Sequence, residues 1–205
     1  MPRQPMSDDE YADTRSRILR EAAGIVGRTG IATLSMRNLA ERVGLTPGAL
    51  YRYFPSKQDM LMSFWADALS SVRERIVAID EAEPHAPAAI RRMLQAYAAF
   101  CLEDHDRFRL LFLENDQGLG DAFVQRNADL VPLDVLKKRV EEMVACGSFL
   151  RGDPDLVAQT LWAGVHGAIT VLITVGGIPL AKPEDLLNST LEALIRGFSV
   201  MDFEP

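Results

Sequence analysis

Between residues 33 and 57, side chains able to bind a phosphodiester backbone alternate with small residues that allow close approach. Arg37 could place its forked guanidinium on the major-groove edge of a guanine. The Pro-Gly-Ala segment at 47–49 can offer only backbone and apolar contacts, including contacts to thymine methyl groups. Lys57 stands beside the start of a predicted helix, where backbone N–H groups and the helix dipole favour a phosphate. These residue types together predict contacts to nucleic acid.

Two short helices joined by a tight turn would hold these residues in place. Apolar positions in 36–43 recur at helical spacing after a possible cap at Ser35. Gly44 follows, where a helix commonly needs a positive φ to reverse the chain. Thr46 can cap a second helix over 47–54. This pattern is typical of a helix-turn-helix, whose second helix can enter the major groove of DNA.

The same region resembles the DNA-binding domain of the TetR family of bacterial repressors. The resemblance is carried by TLSMRNLA at 33–40 and VGLTPGALYRYFPSK at 43–57. It implies that Leu50 and Phe54 face the core and that Arg37 and residues 47–49 contact bases. It also implies phosphate contacts from Thr33, Ser35, Tyr51, Tyr53 and Lys57. With the capping threonine included, the predicted DNA-binding residues are Thr33, Ser35, Arg37, Thr46, Pro47, Gly48, Ala49, Tyr51, Tyr53 and Lys57.

A first helix should complete this domain. Ser7 and Glu10 could form a capping box at its start, and Gly30 should end it. Two positions differ from the family pattern, since Glu21 stands where a small residue is usual and Val26 where a phenylalanine usually packs. We expect residues 1–57 to form a three-helix helix-turn-helix domain.

Charge is unevenly distributed along the chain. The protein carries a net charge of −7, which by itself argues against nucleic acid. Residues 10–57, however, hold eight Lys and Arg against four Asp and Glu, whereas residues 58–205 hold thirteen against twenty-three. A phosphate backbone responds to the local sign of charge, so the basic N-terminal part favours DNA binding.

The remainder of the chain, residues 58–205, predicts further helices and no strand. A long helix follows Lys57, an acidic and proline-bearing linker occupies 80–87, and helical periodicity continues from Ala88. A loop is expected at 116–120 and renewed helix near Ala122. The predicted fold is therefore all-α, with the helix-turn-helix domain followed by a C-terminal helical domain for ligand binding and dimerisation.

Residues 156–181 form a stretch with no formally charged side chain, and this stretch is long enough to suggest a membrane span. Scattered polar residues, Gly176, Gly177 and Pro179 break the run, and no cluster of Lys or Arg flanks it. We interpret it instead as a helix buried on nearly all sides, and we expect no membrane partner. The TetR resemblance implies that this helix and the last one form a homodimer interface, although packing within one chain would give the same pattern. The predicted interface residues are Gly164, Ala168, Val171, Leu187, Leu191, Leu194 and Phe198.

Trp162, His166 and Gly167 resemble a Trp-His-Gly motif found in one subgroup of TetR-type C-terminal domains. Trp162 and His166 lie one helical turn apart and could supply an aromatic wall and a polar contact to a small molecule. The predicted ligand-binding residues are Met93, Tyr97, Phe100, Phe108, Phe112, Trp162 and His166. For each of them a plain core position is the alternative.

Enzymatic activity is not expected, because the three histidines lie outside any nucleophile or metal motif and no phosphate-binding loop is present. No cofactor is predicted. The N-terminus lacks an apolar run, which indicates a cytoplasmic protein. The sequence favours a transcriptional regulator, most simply a repressor that binds a palindromic double-stranded DNA operator as a dimer and is released by an apolar or amphipathic effector. The alternative is an architectural DNA-binding protein that needs no ligand.

Overall fold

The computed structural model describes residues 7–113, 125, 132–147 and 152–199. These residues form nine α-helices and no β-strand, which confirms the all-α prediction. The predicted loop at 116–120 and the helix expected near Ala122 lie outside the described residues. The helices are α1 (Asp8–Thr29), α2 (Met36–Arg42), α3 (Pro47–Tyr53), α4 (Lys57–Ala82), α5 (Ala86–Glu103), α6 (His105–Phe108), α7 (Leu133–Ala145), α8 (Pro154–Thr174) and α9 (Pro183–Phe198).

Contacts divide the chain into two compact units. The first holds residues 7–68 and 104–113, and the second holds residues 69–103, 132–147 and 152–199. Helix α4 begins in the first unit and continues into the second. Residues 58–68 and 104–113, which the sequence pattern placed in the C-terminal domain, belong by contacts to the first unit. A functional boundary after Lys57 remains a prediction.

Local capping defines the helix ends in the first unit. Ser7 and Glu10 form the predicted capping box at the start of α1. Gly30 and Gly44 have φ angles of 82° and 70°, which a residue with a Cβ adopts only under strain. Gly30 ends α1, and Gly44 reverses the chain between α2 and α3. The predicted helix-turn-helix is therefore present.

The two departures from the family pattern are accommodated at different depths. Val26 is fully buried in the core of the first unit, so this smaller residue occupies the interior position. Glu21 is half-buried and reaches Arg42 of α2 at 3.5 Å. Neither change interrupts α1, which packs on α2 and on α6. A π-helical turn at Arg109–Leu113 continues α6 and also packs on α1.

The second unit packs α5, α7, α8 and α9 around one apolar core. Residues of α4 join this unit through ion pairs. Arg73 bonds Asp134 with both guanidinium arms, Arg75 bonds Glu103 in the same way, and Asp80 accepts from Arg139 Nε at 2.5 Å. Burial alone would raise the pKa of Asp80, but hydrogen bonds from Lys138 and Arg139 lower it below its usual value. Asp80 is therefore held as a carboxylate.

Helix α8 is not buried on nearly all sides, and that expectation was wrong for the single chain. Its inner face is buried, whereas Leu156 is 62% and Val171 37% exposed. Thr160, Thr170 and Thr174 donate to the carbonyl four residues back, which explains how an otherwise apolar helix carries hydroxyls. Helix α8 is long and apolar enough to cross a bilayer, but one such helix is weak evidence because core helices pass the same test.

Two glycines of α1 give a matched test of the first unit. A Cβ at Gly27 would lie 2.9 Å from the Cβ of Asp106 and closer still to its carboxyl group, whereas a Cβ at Gly24 meets only the flexible guanidinium of Arg28. Gly24→Ala should raise the free energy of unfolding by up to about 1 kcal/mol through helix propensity. Gly27→Ala should lower it by about 1–3 kcal/mol because α6 must shift. Urea denaturation followed by circular dichroism measures both, and equal stabilisation by the two would contradict the packing of α6 on α1.

Candidate functional site

Helices α2 and α3 present three of the four predicted base-reading residues on open surface, whereas the fourth, Ala49, is half-buried. Arg37, Pro47 and Gly48 are exposed, and a Cβ built at Gly48 would meet no atom within 4 Å. Tyr51 of α3 is 48% exposed. Leu50 and Phe54 are fully buried beneath α3, as expected. The arrangement leaves one face of α3 available to a groove.

Two of the predicted DNA-binding side chains, Ser35 and Thr46, already cap helices through their hydroxyls. Ser35 Oγ accepts from the backbone N–H of Asn38 at 3.1 Å, and Thr46 Oγ1 accepts from the N–H of Ala49 at 3.2 Å. A hydroxyl that accepts through a lone pair keeps its own proton for donation. Both side chains can therefore cap a helix and donate to a phosphate oxygen at the same time.

Thr33 and Lys57 differ in how much hydrogen-bonding capacity they retain. Thr33 Oγ1 donates to the carbonyl of Gly30 at 2.9 Å, so its single proton is used within the chain. Lys57 Nζ donates to the carbonyl of Ile31 at 2.8 Å, but an ammonium group has two further protons. Lys57 therefore joins α4 to the 3-10 turn Ile31–Thr33 and can still donate to an anion.

Tyr53 is fixed by a contact that the sequence pattern did not reveal. Its ring stacks on Tyr11 of α1, with centroids 4.8 Å apart and planes inclined by 23°. Tyr53 is half-buried and Tyr11 is exposed. Helical spacing alone could not identify Tyr11 as the partner of Tyr53, because that also requires knowing that this face of α1 packs against the end of α3.

In the second unit, Tyr97, Trp162 and His166 form one polar-aromatic cluster. The hydroxyl of Tyr97 lies 2.7 Å from Nδ1 of His166, and the rings of Trp162 and His166 stack with centroids 5.1 Å apart. Burial lowers the pKa of His166 below its usual value, which favours a neutral ring at neutral pH. Burial also raises the pKa of Tyr97, so its phenol stays protonated. The cluster is thus uncharged, and its polar atoms can both donate and accept hydrogen bonds.

The other predicted ligand-binding residues are distributed differently. Met93 and Phe100 are fully buried on α5 of the second unit. Phe108 and Phe112 belong to the first unit, where their rings lie 5.1 Å apart. Within the second unit, the structure brings together Tyr97, Trp162 and His166.

The predicted interface residues lie on α8 and α9, which pack on each other within one chain. A Cβ at Gly164 would come 2.5 Å from Leu194 Cδ1, so this glycine permits that intrachain contact. Leu191 is only 2% exposed and belongs to the core of its own unit. Val171 is exposed, and the remaining members, Ala168, Leu187, Leu194 and Phe198, are half-buried.

Curated relatives match different extents of the chain. AcrR of Shigella flexneri, an HTH-type transcriptional regulator, is 26% identical over 142 residues, which are 66% of each chain. KstR of Rhodococcus jostii, an HTH-type transcriptional repressor, is 38% identical over 71 residues, covering 35% of this chain and 32% of KstR. SlmA of Alteromonas mediterranea, a nucleoid occlusion factor, is 27% identical over 187 residues, covering 90% and 95%. The match therefore spans about two thirds of AcrR and one third of KstR.

Solved structures show the same fold at low identity. FadR of Bacillus subtilis, in complex with stearoyl-CoA, gives a TM-score of 0.75 at 19% identity and covers 89% of this chain and 98% of its own. AibR, in complex with isovaleryl coenzyme A and operator DNA, gives a TM-score of 0.74 at 14% identity and also covers 89% of this chain and 98% of its own. At these identities the likeness establishes the fold alone.

Two family models together account for most of the chain. Residues 18–63, which contain α2 and α3, match the model described as bacterial regulatory proteins, tetR family. Residues 90–198 match the model described as tetracyclin repressor-like, C-terminal domain, and by themselves exceed half of the 205 residues. The protein therefore belongs to the TetR family of DNA-binding transcriptional regulators.

Proposed function

We propose that the protein is a cytoplasmic repressor that binds a palindromic operator as a homodimer. The observation that carries this proposal is the exposed face of α2 and α3, where Arg37, Pro47 and Gly48 lie on open surface above the buried Leu50. Helix α3 enters the major groove, while Ser35 and Lys57 donate to phosphates on either side of it. The match to the repressor KstR over part of the chain supports the same function.

The dimer forms through α8 and α9, and the second chain of the dimer supplies the second recognition helix. The exposed side of α8 carries Val171 together with Gly167, where a Cβ would meet no atom within 4 Å. An apolar side with a small residue allows a second copy to approach closely. Twofold symmetry then places the two α3 helices on half-sites about one helical turn apart.

The effector is an amphipathic small molecule that binds in the second unit. Tyr97, Trp162 and His166 offer an aromatic wall with hydrogen-bonding atoms and no formal charge. The proposal extends to the subgroup: Trp162, His166 and Gly167 would form the Trp-His-Gly motif found in one subgroup of TetR-type C-terminal domains. FadR and AibR were each solved with an acyl-CoA, which makes acyl-CoA the first class to test. Such a ligand acts only by binding DNA-competent and DNA-incompetent dimers with different affinities.

An architectural DNA-binding role is the second candidate. It is favoured by a relative whose name refers to the nucleoid and not to transcription. The match to the nucleoid occlusion factor SlmA covers 90% of this chain, more than the match to AcrR does. A ligand-independent architectural binder has similar affinities for many sequences and a steep dependence on salt. A repressor should prefer one palindrome by about a thousandfold or more. Selection of random duplex DNA by the purified protein, with the bound mass measured, separates the two functions.

Arg37→Ala tests base reading. It should cost about 1–3 kcal/mol on the selected operator and relax preference at one base pair in each half-site, because a guanidinium fork to guanine is lost. Competition binding against every single-base variant of the operator measures this. Arg20→Ala is the matched control, since Arg20 is exposed on α1 in the same unit and its loss removes the same charge. An unchanged preferred sequence in Arg37→Ala would show that Arg37 reads no base.

Gly48→Ala separates stability from recognition. The added methyl should raise the free energy of unfolding by up to about 1 kcal/mol, because alanine favours the helix and the site is open. Operator affinity should fall by about fivefold or more, because the methyl occupies space that α3 needs for close approach to the base edges. Calorimetry and fluorescence anisotropy measure the two effects. A more stable variant with undiminished affinity would place Gly48 away from the groove.

Trp162→Ala tests the ligand site. Stearoyl-CoA, isovaleryl-CoA, stearate and coenzyme A alone serve as probes in a thermal-shift and operator-release assay. A probe that binds the wild-type protein should lose about tenfold in affinity with Trp162→Ala, which is about 1.4 kcal/mol. Trp162→Phe, which keeps an aromatic ring, should lose less. Unchanged affinity in Trp162→Ala would make Trp162 a core residue, and no response to any probe would exclude these acyl-CoA-type molecules as effectors.

A further inference from the structure

Arg15 of α1 contacts two other helical segments of the first unit at the same time. Its Nη1 donates to Asp67 Oδ2 on α4 at 2.9 Å. The same guanidinium lies over the ring of Phe54, with Cζ 5.1 Å from the ring centroid. Phe54 is the C-cap residue directly after α3 and is fully buried. One side chain therefore touches both α4 and the end of the proposed recognition helix.

The shape of the guanidinium makes this double contact possible. Its planar face can rest on an aromatic ring while N–H groups in its plane donate to a carboxylate. A lysine ammonium is a point charge and cannot present a flat face in the same way. Arginine is thus suited to hold Phe54 and Asp67 together.

Tyr11, one turn earlier on α1, extends the contact to the last residue of α3. Tyr11 and Arg15 are four residues apart and share a helix face. Tyr11 stacks on Tyr53 while Arg15 covers Phe54, so α1 contacts two consecutive residues at the end of α3. The orientation of that end depends on α1, and α1 is tied to α4 through Asp67.

We propose that Arg15 is a positioning residue that couples α4 to the recognition helix α3. A displacement of α4 reaches α3 through the Asp67–Arg15–Phe54 contact as well as through the short connection at 54–56. This rests on the proposed function of α3 as the DNA-reading helix. The ion pair is partly exposed, with side chains 30% and 52% accessible, so its loss should alter orientation with little effect on stability.

Asp67→Ala provides the central test because charge and positioning predict opposite results. Removing a negative charge from a DNA-binding unit should, by electrostatics alone, tighten binding to every duplex. Positioning predicts that affinity for the selected palindrome weakens by about threefold to tenfold while affinity for a shuffled duplex does not weaken. The ratio of the two affinities, measured by anisotropy at one salt concentration, should therefore fall.

Two further variants act as controls. Asp13→Ala removes the same charge from an exposed position on α1 and should leave the ratio unchanged. Arg15→Lys keeps the charge and can still pair with Asp67 but loses the planar contact with Phe54, so the ratio should fall here too. Melting temperatures report whether any variant is simply unstable.

Hydrogen exchange provides a readout that needs no DNA. Amide exchange in α3 should accelerate by about threefold or more in Asp67→Ala and Arg15→Lys, but not in Asp13→Ala, with α9 unchanged throughout. If Asp67→Ala behaves like Asp13→Ala in binding and exchange, the coupling is absent. A fall in the affinity ratio without faster exchange in α3 also overturns it. If the wild-type protein prefers no sequence, the operator proposal fails by itself, and the exchange comparison still decides the role of Arg15.

Discussion

The burial of Leu50 and Phe54 beneath α3 decides which side of this helix faces outward. Because both side chains are fully buried in the core of the first unit, the opposite side of this two-turn helix must face outward. A helix of seven residues has little stability of its own, so its orientation comes from this packing and from its caps. Pro47 and Gly48 are exposed for that reason and not because of their own preferences.

Several polar groups around α3 serve the fold while keeping hydrogen-bonding capacity for a partner. Ser35 and Thr46 accept backbone N–H groups and retain their protons, and Lys57 gives one of three protons to Ile31. Such double use puts the proposed phosphate donors on residues whose positions are already fixed by hydrogen bonds within the chain. It also means that replacing them changes both local structure and binding, so glycine and arginine positions on open surface are cleaner probes.

The second unit shows how ionic and apolar contacts divide their roles. Arg73, Arg75 and Asp80 of α4 pair with α7 and with Glu103, the last residue of α5, whereas α8 and α9 meet through small and aliphatic residues. Helix α8 keeps an exposed apolar side in the single chain, which is the reason a second copy is proposed there. The TetR family is not enzymatic, and this confirms the prediction that the chain is not an enzyme.

The helix-turn-helix, its caps and the family could be predicted from sequence alone, because these depend on neighbouring residues and on fixed spacing. Ser35, Gly44 and Thr46 could be assigned without any tertiary information. Tertiary structure decided how much of α8 is exposed and that 104–113 joins the first unit. It also decided the pairing of Arg15 with Asp67, 52 residues away in sequence. Periodicity states that a face is apolar, but it does not name the element that covers it, and long-range contacts are set only when the helices pack.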